Sequence, residues 1–293
     1  MSSAFGPLVD IHWLRVNLSR SDLRVFDVRF NLNDPDQGRR AYLEGHIPGA
    51  VFLDLERDLS GPVGRHGGRH PLPDPEQLAA RLRSAGLNHS DTAVVYDDGS
   101  GQSAPRAWWL LGYLGLERVA VLDGGFAAWS GAGLPVVPGT GDEEAAARGP
   151  QGNFTVRLQR DWIRDTDQVR TVVQGGARDG RRVVLVDSRA PERYRGEVEP
   201  YDPVAGHIPG AVNYDWTTNV GPDGRWLDPS TLRQRFAALE GADEIIVYCG
   251  SGVTACANLL ALRLAGFQQA RLYPGSWSDW CSYPEHPVAQ GSE

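Results

Sequence analysis

The sequence predicts an α/β protein made of two tandem copies of one domain, each a parallel sheet flanked by helices. Three observations predict it: an internal duplication, an alternation of short β-branched runs with helical patterns, and a length that suits two domains. The chain has 293 residues, of which 41% are hydrophobic and 23% charged. Each half can therefore bury a core of ordinary size, and the composition is that of a globular protein.

The duplication rests on four landmarks in one order. GHIPGA at 45–50 returns at 206–211. Val25-Phe26-Asp27-Val28-Arg29 is matched by Leu185-Val186-Asp187-Ser188-Arg189. Ala93-Val94-Val95-Tyr96-Asp97 is matched by Ile245-Ile246-Val247-Tyr248-Cys249, and Gly124 to Trp129 by Gly275 to Trp280. Each landmark recurs roughly 150–160 residues later, the signature of a repeated fold. The expected domains are 1–137 and 154–293. Between them, 138–153 is rich in Gly, Pro, Ala and charge and reads as a linker.

In the second copy, 183–186 and 245–248 are apolar runs of the buried-strand type. Residues 231–239 and 255–265 read as helices. In the latter, Ala257, Leu260, Ala261 and Leu264 share one face, and Gly266 follows as a cap. Strands alternating with helices imply parallel pairing with right-handed crossovers. Ligands in such sheets sit at the carboxyl ends of strands, which is where Cys249 falls.

A net charge of −8 argues against nucleic-acid and anionic-membrane partners. The three cysteines, Cys249, Cys256 and Cys281, form no C-x-x-C pair and no disulfide framework, which fits a reducing compartment. Residues 1–10 lack the pattern of a secretory signal, and no apolar run approaches the ~18 residues of a membrane span. The expectation is a cytoplasmic protein. No metal-ligand cluster and no GxGxxG loop is visible, so no cofactor and no metal is expected.

Cys249-Gly250-Ser251-Gly252-Val253-Thr254 joins a buried strand to a helix start. The two glycines let the loop curl and turn several N–H groups inward, and the helix adds its positive end. Ser251 and Thr254 add hydroxyl donors. Such a cradle favours negative charge, and the thiolate is the form of cysteine that attacks sulfur. A cysteine ending a buried strand is ordinarily a small core residue. The flanking glycines and the helix start tip the balance towards chemistry. The first copy carries Asp97 at this position, so only the second copy is expected to be catalytic. The sequence argues against a phosphatase of the C-x5-R type, because the arginine's position holds Ala255. Cys256 and Cys281 are expected to pack, with a resolving or regulatory thiol as the alternative. His46, His207, Asp27, Arg29, Asp187 and Arg189 occur in both copies and are expected to be structural.

At GHIPGA, Asp187-Ser188-Arg189, the run from Tyr248 to Ala255, and the first-copy runs 96–109 and 122–129, the chain resembles the tandem rhodanese-like sulfurtransferases over nearly its whole length. The resemblance implies two rhodanese-like domains, the first inert. Its CGSGVT loop is similar to that of the 3-mercaptopyruvate type, whereas thiosulfate enzymes tend to carry a basic CRKGVT. A neutral loop also suits a monoanionic keto acid. The implied function is transfer of sulfur from 3-mercaptopyruvate through a Cys249 persulfide to cyanide or a thiol such as thioredoxin. The alternatives are a thiosulfate:cyanide sulfurtransferase and a non-enzymatic persulfide relay.

The resemblance assigns further roles. Arg193 matches a carboxylate-binding arginine, the plainer alternative being a surface residue paired with Glu192 or Glu197. A second arginine expected shortly after is replaced by Tyr201. Gly250, Gly252, Val253 and Thr254 would line the substrate loop. A serine-histidine-acid relay would use Ser251, His70 (with His66 as rival) and Asp54 or Glu56. In the plainer reading, His70 and Glu56 only make hydrogen bonds.

Overall fold

The computed structural model describes residues 5–139, 151–175 and 180–292. Residues 140–150 of the expected linker lie outside the described residues. The chain divides into two compact units. Unit 1 comprises Met1–Gly61, Pro73–Gln159 and Val220–Trp226; unit 2 comprises Pro62–Leu72, Arg160–Asn219 and Leu227–Glu293. The units thus follow the two copies, except that 62–72 goes with the second copy and 220–226 with the first.

Unit 1 runs β1 (Leu8–Val9), α1 (Ile11–Asn17), β2 (Leu23–Asp27), α2 (Gln37–Glu44), β3 (Ala50–Phe52), α3 (Pro75–Ser84), β4 (Thr92–Tyr96), α4 (Ala104–Tyr113), β5 (Val119–Leu122) and α5 (Gly125–Gly131). Its sheet order is β1-β5-β4-β2-β3, with every pair parallel. Unit 2 runs α6 (Thr166–Val173), β6 (Val183–Asp187), α7 (Pro191–Tyr194), β7 (Val212–Asn213), α8 (Pro229–Arg235), β8 (Glu244–Tyr248), α9 (Ala255–Leu264), β9 (Ala270–Leu272) and α10 (Ser276–Trp280). Its sheet, β7-β6-β8-β9, is likewise parallel. No described helix is long and apolar enough to cross a membrane.

The two cores repeat each other. Ile47, Val94, Tyr96 and Trp129 are buried together in unit 1, and Ile208, Ile246, Tyr248 and Trp280 in unit 2. The shared Asp-x-Arg pairs fix the strand ends, as expected. Arg29 grips Asp27 through Nε and Nη2 and donates to the Gly45 carbonyl at 2.7 Å. Arg189 does the same with Asp187 and the Gly206 carbonyl, also at 2.7 Å. His46 and His207 stack on Tyr42 and Tyr194, with Nδ1 at the carbonyls of those tyrosines. Both histidines are structural in this sense.

Two helices differ from the expectation. The helix expected over 231–239 begins at Pro229 and ends at Arg235, and a 3-10 turn covers Ala237–Leu239. Asp228 sets the earlier start: its carboxylate accepts the N–H groups of Ser230 and Thr231, and proline suits a first helical position. Helix α9 is buried on nearly all sides rather than on one face. Its Asn258 is accommodated there by donating to Ser188 Oγ and the Tyr214 carbonyl.

Candidate active site

In unit 2 the chain leaves β6 for β7 on one side of the sheet and returns through β8 on the other. The carboxyl ends of β6 and β8 therefore flank a topological switch point, the usual place for a ligand in an open parallel sheet. Asp187 is level with Tyr248 there, and Cys249 is the next residue.

Cys249 is 1% exposed, and its Sγ accepts the N–H of Gly252 at 3.1 Å. Gly252 holds φ +81, and a methyl group on it would stand 2.3 Å from the Pro274 carbonyl oxygen. The position thus requires glycine on both counts. The neighbouring turn clamps the cysteine's backbone. Cys249 N–H donates to Ser276 Oγ at 3.1 Å, while Trp277 and Ser278 N–H donate to the carbonyls of Cys249 and Gly250. Ser276, at φ +56, is the sole non-glycine residue with positive φ among the described residues. Its hydroxyl donates to the Tyr273 carbonyl and accepts from Cys249, contacts that hold it in this strained backbone region.

Ser251 Oγ lies 2.7 Å from Nδ1 of His70, and both residues are buried. His66 is engaged elsewhere: its Nδ1 meets Ser282 Oγ at 2.7 Å and its ring stacks on Tyr283. Of the two rival histidines, His70 therefore partners the loop serine. Asp54 and Glu56 belong to unit 1, where Asp54 Oδ1 accepts the N–H groups of Glu56 and Arg57 and so caps its own turn. Val253 and Thr254 open α9, their carbonyls accepting from Cys256 and Ala257.

Arg193 does not pair with Glu192 or Glu197. It makes a forked ion pair with the buried Glu199, at 2.7 and 2.9 Å, and stands 3.7 Å from Asp202. Arg195 takes Glu197 instead. Glu199 also accepts from Arg189, so the structural pair at the end of β6 reaches into this cluster. Arg69 pairs with Asp202 through Nη1. The guanidinium carbons of Arg69 and Arg193 lie 5.4 and 5.1 Å from the centroid of the Tyr201 ring. Burial raises the Asp202 carboxyl above the usual range, against the pull of Arg69.

The two remaining cysteines are packed. Cys256 is fully buried, with its thiol directed at the Gly252 carbonyl. Cys281 is half-buried, and burial pushes its thiol up to about 11.

Unit 1 shows what the duplicated loop does when no sulfur is present. Asp97 Oδ1 accepts the N–H groups of Gly99 and Gly101 at 2.9 and 3.3 Å, and Oδ2 those of Ser103 and Ala104 at 3.1 Å each. Four amides around one carboxylate make this loop an anion cradle by construction.

Arg69, Glu199, Asp202 and Ser276 were not singled out in the sequence. Ser276 alone carried a signal: it faces Gly125 in the duplication, and Gly125 also has positive φ, +55.

The sequence profile of the rhodanese-like domain matches residues 10–132 and 173–283. The chain is 51% identical to the "Probable 3-mercaptopyruvate sulfurtransferase" of Pseudomonas aeruginosa, over 99% of this chain and 100% of that one. It is 34% identical to the thiosulfate sulfurtransferase of Cricetulus griseus, over 98% and 96%. Its structure is similar to the crystal structure of a 3-mercaptopyruvate sulfotransferase, SseA, from Escherichia coli. The TM-score is 0.79, the identity 34%, and the match covers 93% of this chain and 99% of that one.

Proposed function

The chain belongs to the rhodanese-like family and is a sulfurtransferase, and from that premise we propose that it moves sulfur from 3-mercaptopyruvate to a thiol or cyanide through a persulfide on Cys249. The observation that carries this reading is Sγ of Cys249 at a strand's carboxyl end, taking an amide N–H, in a loop flanked by two guanidinium groups.

The thiolate attacks the donor sulfur. The carbon–sulfur bond breaks, its electron pair passes to the enolate of pyruvate, and a proton converts the enolate to pyruvate. Ser251, bonded to His70, is suited to deliver that proton. The outer sulfur stays on Cys249, where inward-facing amides offset its charge as they do for Asp97 in the first copy. An acceptor, cyanide or a thiol such as that of thioredoxin, then attacks the outer sulfur. The sulfur–sulfur bond breaks and its electrons return to Sγ, giving ping-pong kinetics.

Intact mass after donor treatment tests the scheme. The expected result is a gain of ~32 Da in the wild type that Cys249→Ser abolishes. A gain that persists in the variant moves the chemistry to Cys256 or Cys281.

A second reading, thiosulfate as the donor, draws on the likeness to the hamster enzyme and on the two arginines. Both arginines are already neutralised by Asp202 and Glu199, which favours a monoanion over a dianion. The ratio of turnover on the two donors separates the readings. Turnover with a small donor and a small acceptor alone rejects a mere relay.

A further inference from the structure

Resting on that reading, we infer that Asp279 is a positioning residue for proton delivery, fixing the arm that carries His70 against the turn that holds the Cys249 loop. Asp279 is 3% exposed and accepts from three separate parts of unit 2. Its Oδ1 takes the N–H of Gly67 at 2.7 Å. Its Oδ2 takes the hydroxyl of Tyr273, also at 2.7 Å, and that of Thr166. Tyr273 and Thr166 thus fix the carboxylate, and the carboxylate fixes the arm.

Helix α10 serves both sides of the site. Its first residues clamp the thiol loop: Cys249 N–H donates to Ser276 Oγ, and Trp277 and Ser278 N–H to the carbonyls of Cys249 and Gly250. Its remaining polar groups hold residues 66–70. Besides the bond from Gly67 to Asp279, Arg69 N–H donates to Ser278 Oγ at 3.1 Å. His66 Nδ1 lies 2.7 Å from Ser282 Oγ, just past the helix. The Ser282 hydroxyl gives its one proton to the Asp279 carbonyl at 2.6 Å, so His66 is the donor of that pair. Gly67 and Gly68 hold φ +97 and +83, and a methyl on Gly68 would stand 2.5 Å from the Gly275 carbonyl oxygen. The arm therefore lies backbone against backbone on the turn, and two residues on, His70 meets Ser251 at 2.7 Å.

The first copy separates this task from folding. Its turn from Gly124 to Trp129 matches Gly275 to Trp280, with Ala127 and Ala128 in place of Ser278 and Asp279. Phe126 and Ala127 N–H still donate to the carbonyls of Asp97 and Asp98, at 2.8 and 3.2 Å. The clamp on the loop thus forms without either polar side chain. Residues that fix the fold, such as Asp27 and Asp187, occur in both copies, whereas Asp279 and Ser278 occur only in the copy with the cysteine.

A double-mutant cycle tests whether Asp279 acts through Ser251 and His70. Sulfur transfer to cyanide from 3-mercaptopyruvate and from thiosulfate is measured for wild type, Asp279→Ala, Asp279→Asn, Ser251→Ala and the double variant Asp279→Ala/Ser251→Ala. Asp279→Ala is expected to lower kcat for the keto acid about 10- to 100-fold, the cost of displacing a catalytic group by about an ångström. KM should change less than about 2-fold, because Arg69 keeps its own pair with Asp202. Thiosulfate, whose sulfite leaves without a proton, should be turned over within about 3-fold of the wild-type rate. In the Ser251→Ala background, Asp279→Ala should change kcat for the keto acid less than about 2-fold, since residues that act as one unit are not additive. Asp279→Asn keeps an acceptor for Gly67 and should stay within about 3-fold of wild type. Ser278→Ala, which removes the bond from Arg69 N–H, should show the same donor selectivity on a smaller scale, and it carries the test if Asp279→Ala does not fold. Losses that multiply in the double variant, equal losses on both donors, an Asp279→Asn as slow as the alanine variant, or no loss at all overturn the inference. A Ser251→Ala enzyme as fast as wild type overturns the proton step and this inference while leaving the Cys249 persulfide standing. A wild type that takes no sulfur from 3-mercaptopyruvate overturns the proposed donor, and the inference with it.

Discussion

Replacing each loop glycine by alanine separates the geometry of the sulfur cradle from that of the donor. In Gly252→Ala the new methyl must sit at φ +81 and 2.3 Å from the Pro274 carbonyl oxygen. The left-handed backbone alone costs about 1–2 kcal/mol. The clash is with backbone, and the adjoining turn is tied to the loop through Ser276, Trp277 and Ser278, so the loop must shift. A total loss of about 2–4 kcal/mol would lower the unfolding midpoint by roughly 10 °C. The shift also withdraws the Gly252 N–H from Sγ, now 3.1 Å away. Loss of one donor aimed at developing charge costs about 100- to 1,000-fold in kcat. Gly250→Ala differs. Its φ lies outside the left-handed region, and the nearest atoms to its methyl are the far ends of Arg69 and Arg193. It should stay within about 1 kcal/mol of wild-type stability and raise KM for the donor. Differential scanning calorimetry and steady-state kinetics with cyanide as acceptor read both effects. If the two variants lose the same stability, or if Gly252→Ala forms persulfide at the wild-type rate, the cradle account is wrong.

Ser251→Ala should slow transfer from 3-mercaptopyruvate by about 100-fold or more, because its enolate needs a proton, while thiosulfate, whose sulfite leaves without one, should be nearly unaffected; equal slowing in donor kinetics would remove the serine from proton delivery. Cys281 should alkylate about 100-fold more slowly than a free thiol at pH 8, since its thiol is pushed from 9.0 up to about 11 by burial, and iodoacetamide labelling followed by peptide mass measures this. The sign follows for stability: the folded state holds that proton more tightly, so the contribution is present below about pH 9 and is lost as pH rises through about 11. Asp27→Asn should cost about 3–5 kcal/mol in calorimetry by leaving the buried Arg29 guanidinium without its carboxylate, and Asp187→Asn less, because Arg189 keeps Glu199. Only Asp187→Asn should also raise donor KM, because Arg189 shares Glu199 with Arg193.

The parts that were legible in the sequence are those written as local pattern. The runs ending at Tyr96 and Tyr248 announced two central strands, and the glycines after Cys249 announced a curled loop before a helix. The duplication doubled the weight of each sign, and it separated structural residues such as His46 and His207 from Cys249, which one copy lacks. What was not legible depends on contacts between residues far apart in the chain. Arg69 meets Asp202 across 133 positions, and no periodicity of two or 3.6 residues reports such a pair. The 64–69 stretch has too many glycines to form a helix or strand, so nothing local said which unit it joins. The start of α8 was readable in principle, because Asp228-Pro229 is an N-terminal signal, but the hydrophobic period drew the helix two residues late.

Asp97 supplies a physical reason for keeping the loop in the copy that lacks the cysteine. A ring of inward N–H groups at a strand's carboxyl end leaves several buried donors that must be satisfied. In unit 1 the Asp97 carboxylate satisfies four of them from within the chain, so the loop is complete without a ligand. In unit 2 the side chain at that position is a thiol, and Sγ accepts from Gly252. The same backbone is a finished structural turn with aspartate, and in the proposed scheme it receives a second sulfur with cysteine. Around the second copy's loop stand the Ser251–His70 pair and the arginines on Tyr201, which the proposed scheme uses. Tyr42 and Tyr194 are counterparts, each stacked on the histidine of its own GHIPGA motif, so the position matching Arg193 in the first copy is Ala41 and that copy lacks the cation as well as the cysteine. On these two absences we propose that the first domain is kept for its fold.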